Sequence, residues 1–222
     1  MNFNEPALLK HWEERFVEFL KDRDSDDASH DVSHFQRVWK TAQQLIDEGE
    51  FDINRLVVLA ACYFHDIIVL PKNHPERSKA SALAAEETEI CLNSLQFPVE
   101  LINAVCHAVK THSYSANITP ETLEAEVVQD ADRMEALGAI GIARCFYTGG
   151  KLGQKLFDPE DPMGKNRELN DRQYSLDHFE IKLLQIQKTM KTEPGRKMAA
   201  RHSDFLQSFR IQLCRELSGD YS

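Results

Sequence analysis

The sequence predicts an all-α fold, a single-domain helical bundle, on three observations. Apolar residues recur at intervals of three and four, the period of an amphipathic helix, along most of the chain. No alternating apolar and polar run of the kind that forms a half-buried strand stands out, and no internal repeat reaches solenoid length. The 222 residues are 42% apolar and 28% charged, which is typical of a globular protein with one sizeable core.

Each candidate helix in the first half of the chain carries an apolar stripe and ends at a glycine, a proline or a polar segment. These helices are predicted over residues 5–21, about 32–49, about 54–70, 78–95 and about 98–112. The third is apolar on nearly every side, which predicts a central buried helix. Its β-branched end, Ile67-Ile68-Val69, favours helix less strongly.

The second half begins with a helix that opens at Thr119-Pro120-Glu121 and runs to Leu137, followed by small residues that would let neighbouring helices approach closely. Residues 148–171 are rich in Gly, Pro and Asp and predict a long loop or lid. Helical patterning resumes at about 175, and a C-terminal helix is predicted over about 195–217. We expect one domain over 1–222, with a core at about 25–190 on which the terminal helices pack.

The net charge of −10 argues against an extended nucleic-acid partner, since such surfaces are usually basic. Small anionic substrates remain compatible with it, because a bound divalent cation would supply local positive charge. The five cysteines form no C-x-x-C pair and are predicted to be reduced. The first residues, MNFNEPALLKHWEERF, include no basic segment followed by an apolar core of the kind that signal sequences have, and no stretch approaches the ~18 apolar residues of a membrane span. We expect a cytoplasmic protein without a membrane partner.

Adjacent His65 and Asp66 interrupt the apolar run 60–69. Burying an acid beside a base is costly unless each is paired or bound to an ion. His34 and Asp132, on two other predicted helices, would complete a set of two imidazoles and two carboxylates. Such a set suits one divalent ion of Mn, Fe, Co, Ni or Zn, with Mg less natural. The ion would keep positions for water and a substrate oxygen, and would lower the pKa of that water.

The residues around these candidate ligands resemble a known family. In order, HFQRV at 34–38, YFHDI at 63–67 and DADRMEALGAIG at 130–141 are similar to the HD-domain superfamily of metal-dependent phosphohydrolases, most closely its bacterial YedJ-like subgroup. The resemblance spans about residues 25–190. It implies an all-helical fold and hydrolysis of phosphate esters or anhydrides, frequently of nucleotides. Asp66 then belongs to the catalytic set as well as to the metal ligands.

His107 and His112 are further candidates for catalysis, either of them as a general acid. Some members of the superfamily recruit extra histidines between the His-Asp pair and the last Asp to hold a second metal. The i, i+5 spacing does not put both on one helical face, so one would have to lie beyond the helix end. A hydrogen-bonded structural role is the alternative for each. His30-Asp31 is interpreted as a cap of the next helix, or as a group that orients His34.

Lys72, Arg77 and Arg133 are the candidate substrate-binding cations, with Arg196 as a further one. Each could balance the charge of a phosphate as its leaving group departs. Arg133 directly follows a proposed ligand and is the best positioned of them in the sequence. An ordinary solvated surface is the alternative for all four.

The residues and the resemblance together predict a mononuclear, divalent-metal-dependent phosphohydrolase. Its substrate would be a small phosphorylated molecule, a nucleotide, in which metal-activated water cleaves a phosphomonoester or pyrophosphate bond. One alternative is a dinuclear HD-type phosphodiesterase or oxygenase. Alternatives from other classes are a non-catalytic nucleotide-sensing module and a structural interaction protein. The sequence is compatible with a homo-oligomer and does not decide the oligomeric state.

Overall fold

The computed structural model describes residues 4–21, 32–70 and 74–220, and within them the all-α prediction is confirmed. No helix among these residues is long and apolar enough to cross a membrane. Their only extended pairing is an isolated bridge between Lys155 and Tyr174. The helices are α1 Glu5–Lys21, α2 Val32–Gly49, α3 Arg55–Phe64, α4 Ala80–Ser94, α5 Val99–His112, α6 Leu123–Met134, α7 Gly138–Lys151, α8 Leu184–Ile186 and α9 Glu193–Leu217.

The chain divides into two compact units, Met1–Asp132 and Arg133–Ser222, with the boundary near the end of α6. Two compact units can belong to one domain or to two. The expectation of one domain over 1–222, with its core at about 25–190, therefore stays a prediction.

Helix α3 is the centre of the first unit. All of its residues after Arg55 are buried, and it packs against α1, α2, α4 and α5, which explains why its sequence has no polar face. From α1, the Phe16 ring meets the Phe64 ring edge to face, with centroids 5.2 Å apart. The Tyr63 hydroxyl donates to Glu13 Oε1 at 2.9 Å, so the one polar group that α3 buries on this side is satisfied.

Helix α3 ends at Phe64, several residues before the predicted end at about 70. The backbone N–H of His65 still bonds to Ala61 O, but that of Ile67 bonds to Phe64 O, three residues back. The helix therefore tightens into a turn, and His65 and Asp66 lie where it ends. The β-branched residues that follow are poor helix formers and continue outside it.

The second unit is built on α7 and α9, which pack against each other. Its aromatic core joins Phe146 of α7, Phe209 of α9 and Phe179, with Phe179 and Phe209 stacked at a centroid distance of 5.9 Å. Phe179 opens a π-helical turn that precedes α8. Helix α9 begins at Glu193, two residues before the predicted start at about 195. The Thr192 side chain caps it by accepting from the backbone N–H of Gly195 at 3.0 Å.

The predicted loop or lid over 148–171 begins four residues too early, because 148–151 are the last turn of α7. Gly149 is a packing residue there, since a Cβ would overlap the Ser175 hydroxyl. The rest of the segment is anchored: Arg167 donates to both carboxylate oxygens of Asp177, at 2.6 and 2.7 Å, and lies over the Tyr174 ring. A lid function stays a prediction.

Candidate metal centre

Three separate helices of the first unit bring the four predicted ligands together. His34 lies in the first turn of α2, His65 and Asp66 follow α3, and Asp132 lies near the end of α6. The two imidazoles face each other, with His34 Nε2 3.1 Å from His65 Nε2. Asp132 Oδ1 lies 3.4 Å from His65 Nε2 and 3.8 Å from His34 Nε2. Asp66 Oδ2 lies 3.7 and 4.0 Å from the same two nitrogens.

The backbone fixes which nitrogen of His65 faces this cluster. Its Nδ1 lies 2.9 Å from the carbonyl of Cys62, and because a carbonyl oxygen only accepts, Nδ1 carries a proton and donates it. In the neutral ring, Nε2 then presents a lone pair toward His34 and the carboxylates. An imidazole held in this way by a backbone carbonyl is a common feature of metal-binding histidines. The sequence analysis did not identify this contact. A backbone carbonyl is present whatever residue stands three positions before His65, so the sequence holds no signal for it.

The cluster concentrates negative charge in a buried place. Both imidazoles are fully buried, and about a fifth of each of the Asp66 and Asp132 side chains is exposed. Burial lowers the pKa of His65, but the charge of Asp66 and the hydrogen bond to Asp132 outweigh it and raise that pKa to about 9. Burial raises the pKa of Asp132, yet the bond and charge of His65 hold it well below its usual range. Without another cation, a proton on His65 balances the carboxylates.

A divalent ion fits this donor set as well as a proton does. Ligand atoms of His34, His65 and Asp66 all lie within 4.8 Å of one another, and Asp132 Oδ1 reaches the same two nitrogens. Two imidazole nitrogens with carboxylate oxygens are a mixed set typical of first-row divalent ions. The ion would take over the charge balance that the proton on His65 otherwise provides.

His112 joins the site and His107 does not. The His112 Nε2 lies 3.4 Å from Asp66 Oδ1, and its ring meets that of His65 at a centroid distance of 4.9 Å. The His107 Nε2 instead accepts from the backbone N–H of Glu121 at 3.1 Å. Five residues turn a helix by about 140° beyond a full turn, so the two rings leave α5 in different directions. The prediction of a catalytic His107 is therefore not supported by its position.

The predicted substrate cations are placed differently from one another. Arg77 is half-buried and donates from Nη1 to the carbonyl of Leu70 at 2.8 Å. Leu70 lies four residues after Asp66 in the sequence. Arg133 is buried, with 7% of its surface exposed, and donates from Nη1 to Thr189 O; its role as a substrate contact stays a prediction. Arg196 likewise donates to Lys191 O at 2.7 Å. Lys72 lies outside the described residues, as do His30 and Asp31.

Gln129 is a residue of this region that the sequence analysis did not consider. It is fully buried on α6 and donates from Nε2 to Thr111 O at 2.6 Å. The sequence does hold a signal for it: Gln129 precedes Asp132 by three positions, and such residues share one face of a helix.

Comparisons with known proteins show which family the chain is similar to. The family model described as "HD domain" matches residues 31–137. The uncharacterized protein YpgQ of Bacillus subtilis (strain 168) is 28% identical over 200 residues, which are 87% of each chain. The crystal structure of YpgQ in complex with ADP has a TM-score of 0.73 at 25% identity, covering 96% of this chain and 99% of that one.

A crystal structure of an HD-superfamily hydrolase from Bacillus thuringiensis has a TM-score of 0.70 at 30% identity, covering 95% of this chain and 98% of that one. The resemblance to the YedJ-like subgroup stays a prediction, since none of these comparisons distinguishes subgroups. On the family match and the 30% identity to the HD-superfamily hydrolase over nearly the whole of both chains, the chain belongs to the HD-domain superfamily of hydrolases.

Proposed function

We propose that this chain is a divalent-metal-dependent phosphohydrolase that acts on a small phosphorylated substrate, a nucleotide. The observation that carries the proposal is the convergence of His34, His65, Asp66 and Asp132, whose Nε2 and Oδ atoms lie 3.1 to 4.0 Å apart across three helices. These four residues would hold one ion. When bound, the ion supplies positive charge beside the phosphoryl group and a water of lowered pKa.

His112 supplies the proton that the leaving group needs. Its Nδ1 donates to Val109 O at 2.6 Å, which leaves Nε2, 3.4 Å from Asp66 Oδ1, as the nitrogen that would carry a transferable proton. The carboxylate of Asp66 holds that proton and orients it toward the site. Transfer of the proton from Nε2 to the departing oxygen is general acid catalysis, which typically contributes about 10²- to 10⁴-fold.

Among the candidate cations, Arg77 is the one that we propose binds the phosphates. Its bond to Leu70 O uses one of its five N–H groups and anchors the guanidinium to the segment that follows His65 and Asp66. The remaining N–H groups suit the oxygens of a phosphate, to which arginine donates in pairs. A nucleotide substrate is further supported by the complex of the similar protein YpgQ with ADP.

A dinuclear site is the second candidate, and one feature of Asp66 favours it. Its Oδ2 faces His34 and His65, whereas its Oδ1 faces His112, an arrangement that a carboxylate bridging two ions would also have. A second ion would need further ligands beside His112. Because the His107 Nε2 is already occupied by the Glu121 N–H, a single ion is the better fit.

The test is a substrate screen with a matched pair of variants. The chain loaded with Mn²⁺, Mg²⁺ or Zn²⁺ is assayed for phosphate and pyrophosphate release from nucleoside mono-, di- and triphosphates and from p-nitrophenyl phosphate. We expect turnover of at least one nucleotide, its loss in Asp66→Ala, and its retention in Asp47→Ala, which removes an exposed carboxylate paired with Arg55 on the surface.

Full activity of Asp66→Ala would refute the proposed site. Tight binding of a nucleotide without turnover, whatever the metal, would instead favour a nucleotide-sensing module. A purely structural protein would be favoured by two results together. The wild type would bind no nucleotide, and replacing both His65 and Asp66 by apolar residues would leave the stability unchanged.

A further inference from the structure

Two carbonyls of the last turn of α5 accept hydrogen bonds from side chains. The last four carbonyls of a helix have no amide partner within it, and α5 ends at His112 because Ser113 is extended, with ψ at 127°. The Val109 carbonyl accepts from His112 Nδ1, and the Thr111 carbonyl accepts from Gln129 Nε2, each at 2.6 Å. The orientation of the His112 ring therefore depends on two carbonyls, one of which is held by another helix.

That other helix is α6, which also carries Asp132. Gln129 and Asp132 are three residues apart and share a face, so one face of α6 supplies both a candidate metal ligand and the amide that holds Thr111. Through this contact the turn that bears His112 is tied to the helix that bears Asp132. His112 Nε2 is thereby kept 3.4 Å from Asp66 Oδ1.

The chemistry of the Gln129 amide separates this role from simple core packing. A carbonyl only accepts, so the NH₂ end of Gln129 faces Thr111 O. Its Oε1 is buried and has no hydrogen-bond partner among the residues that the structure describes. A buried unsatisfied acceptor destabilises the fold, whereas a methionine of similar length would fill the same space without one. The hydrogen bond to Thr111 is what glutamine provides and methionine does not.

We propose that Gln129 is a positioning residue, which fixes the His112 imidazole against Asp66 by holding the Thr111 carbonyl. The proposal rests on the proposed function, because only there does the direction of the His112 ring matter for turnover. It concerns the placement of the ring, and this can be measured whether or not the chain hydrolyses nucleotides.

The first measurement is imidazole NMR of the metal-free, ¹⁵N-histidine-labelled full chain at one pH. The His112 signals are assigned by their absence in His112→Ala. We expect a slowly exchanging Hδ1 signal of His112 in the wild type, and its loss in Gln129→Met. Thr111→Val is the matched control, because it changes the neighbouring side chain but keeps the carbonyl that Gln129 binds, and the signal should persist there. Gln129→Asn, one methylene shorter, is the milder variant if Gln129→Met does not fold.

The second measurement is a double-mutant cycle on turnover of ATP or of the best nucleotide from the screen. Gln129→Met should lower kcat by about 10- to 100-fold with little change in KM, the size expected for a displaced catalytic group. In the His112→Ala background the same change should have almost no further effect, because both substitutions remove one function.

An unchanged His112 signal in Gln129→Met, or an equal loss of kcat with and without His112, would overturn the proposal. If the NMR result is as expected but no variant or wild type turns over any nucleotide, the positioning role stands and the proposed function fails.

Discussion

The most quantitative prediction concerns the exchange of a proton for a metal ion at His65. Its pKa of about 9 in the metal-free chain, against 6.5 for an ordinary histidine, means that the ring is protonated at pH 7. An ion that binds Nε2 must displace that proton. We therefore expect about one proton to be released per ion at pH 7, and the affinity for Mn²⁺ to rise about tenfold per pH unit up to about pH 9.

The same pKa shift predicts how the stability of the metal-free chain depends on pH. A pKa that is raised on folding stabilises the folded state fully below pH 6.5, and this contribution is lost as the pH rises through about 9. Its size, worked from the shift, is about 3 kcal/mol in the free energy of unfolding. The metal-loaded chain should not show this loss, because the ion has replaced the proton.

Isothermal titration calorimetry of Mn²⁺ binding in two buffers of different ionisation enthalpy measures the protons released. Urea unfolding of the metal-free chain between pH 6.5 and 9 measures the stability. His107→Ala is the matched control, because its ring lies elsewhere on the first unit and bonds to the Glu121 amide. No proton release at pH 7, or an affinity that is flat between pH 6.5 and 8.5, would refute the reasoning about His65.

Three further predictions concern packing and substrate binding. Phe16→Ala should lower the free energy of unfolding by about 3–5 kcal/mol in urea denaturation, since the ring is fully buried against α3; a loss below ~1 kcal/mol would contradict this packing. Gly138→Ala should lower the free energy of unfolding by roughly 1–2 kcal/mol, because Gly138 has φ at +62°. Gly150→Ala should raise it by about 0.5–1 kcal/mol, because the space where its Cβ would lie is open. Equal effects at the two glycines would be inconsistent with the backbone described. Arg77→Ala should raise KM for the nucleotide about tenfold with little change in kcat, while Arg55→Ala leaves both unchanged; an unaffected KM would remove Arg77 from the site.

The central helix and the ligand set are the parts that local patterns could predict. The run from Leu56 to Phe64 has no polar face, and such a helix has to be buried on all sides. His65 and Asp66 are conspicuous because they interrupt it. His34 and Asp132 could be joined to them because the order and the flanking residues of the set resemble a family, although no local motif connects the three segments.

The parts that the sequence analysis missed depend on contacts between distant segments. Gly149 has the local signature of a breaker, yet it lies within α7, and it is a glycine there because Ser175, far along the chain, leaves no room for a side chain. Arg133 follows a proposed ligand in the sequence, and its bond to the carbonyl of Thr189 could not be read from its local sequence. Gln129 acts through Thr111, eighteen positions earlier. In each case tertiary packing decides the role of a residue whose local sequence suggests another, or none.

The metal content of the purified chain shows whether His34, His65, Asp66 and Asp132 hold an ion. The protein is loaded with Mn²⁺, freed of unbound ions by desalting at pH 8 and measured by elemental analysis, alongside Asp66→Ala, Asp132→Ala and the control Asp47→Ala. We expect one divalent ion per chain in the wild type and the control, and almost none in the two site variants. Retention of the ion by Asp66→Ala and Asp132→Ala, or no retention by the wild type, would contradict the four-ligand centre.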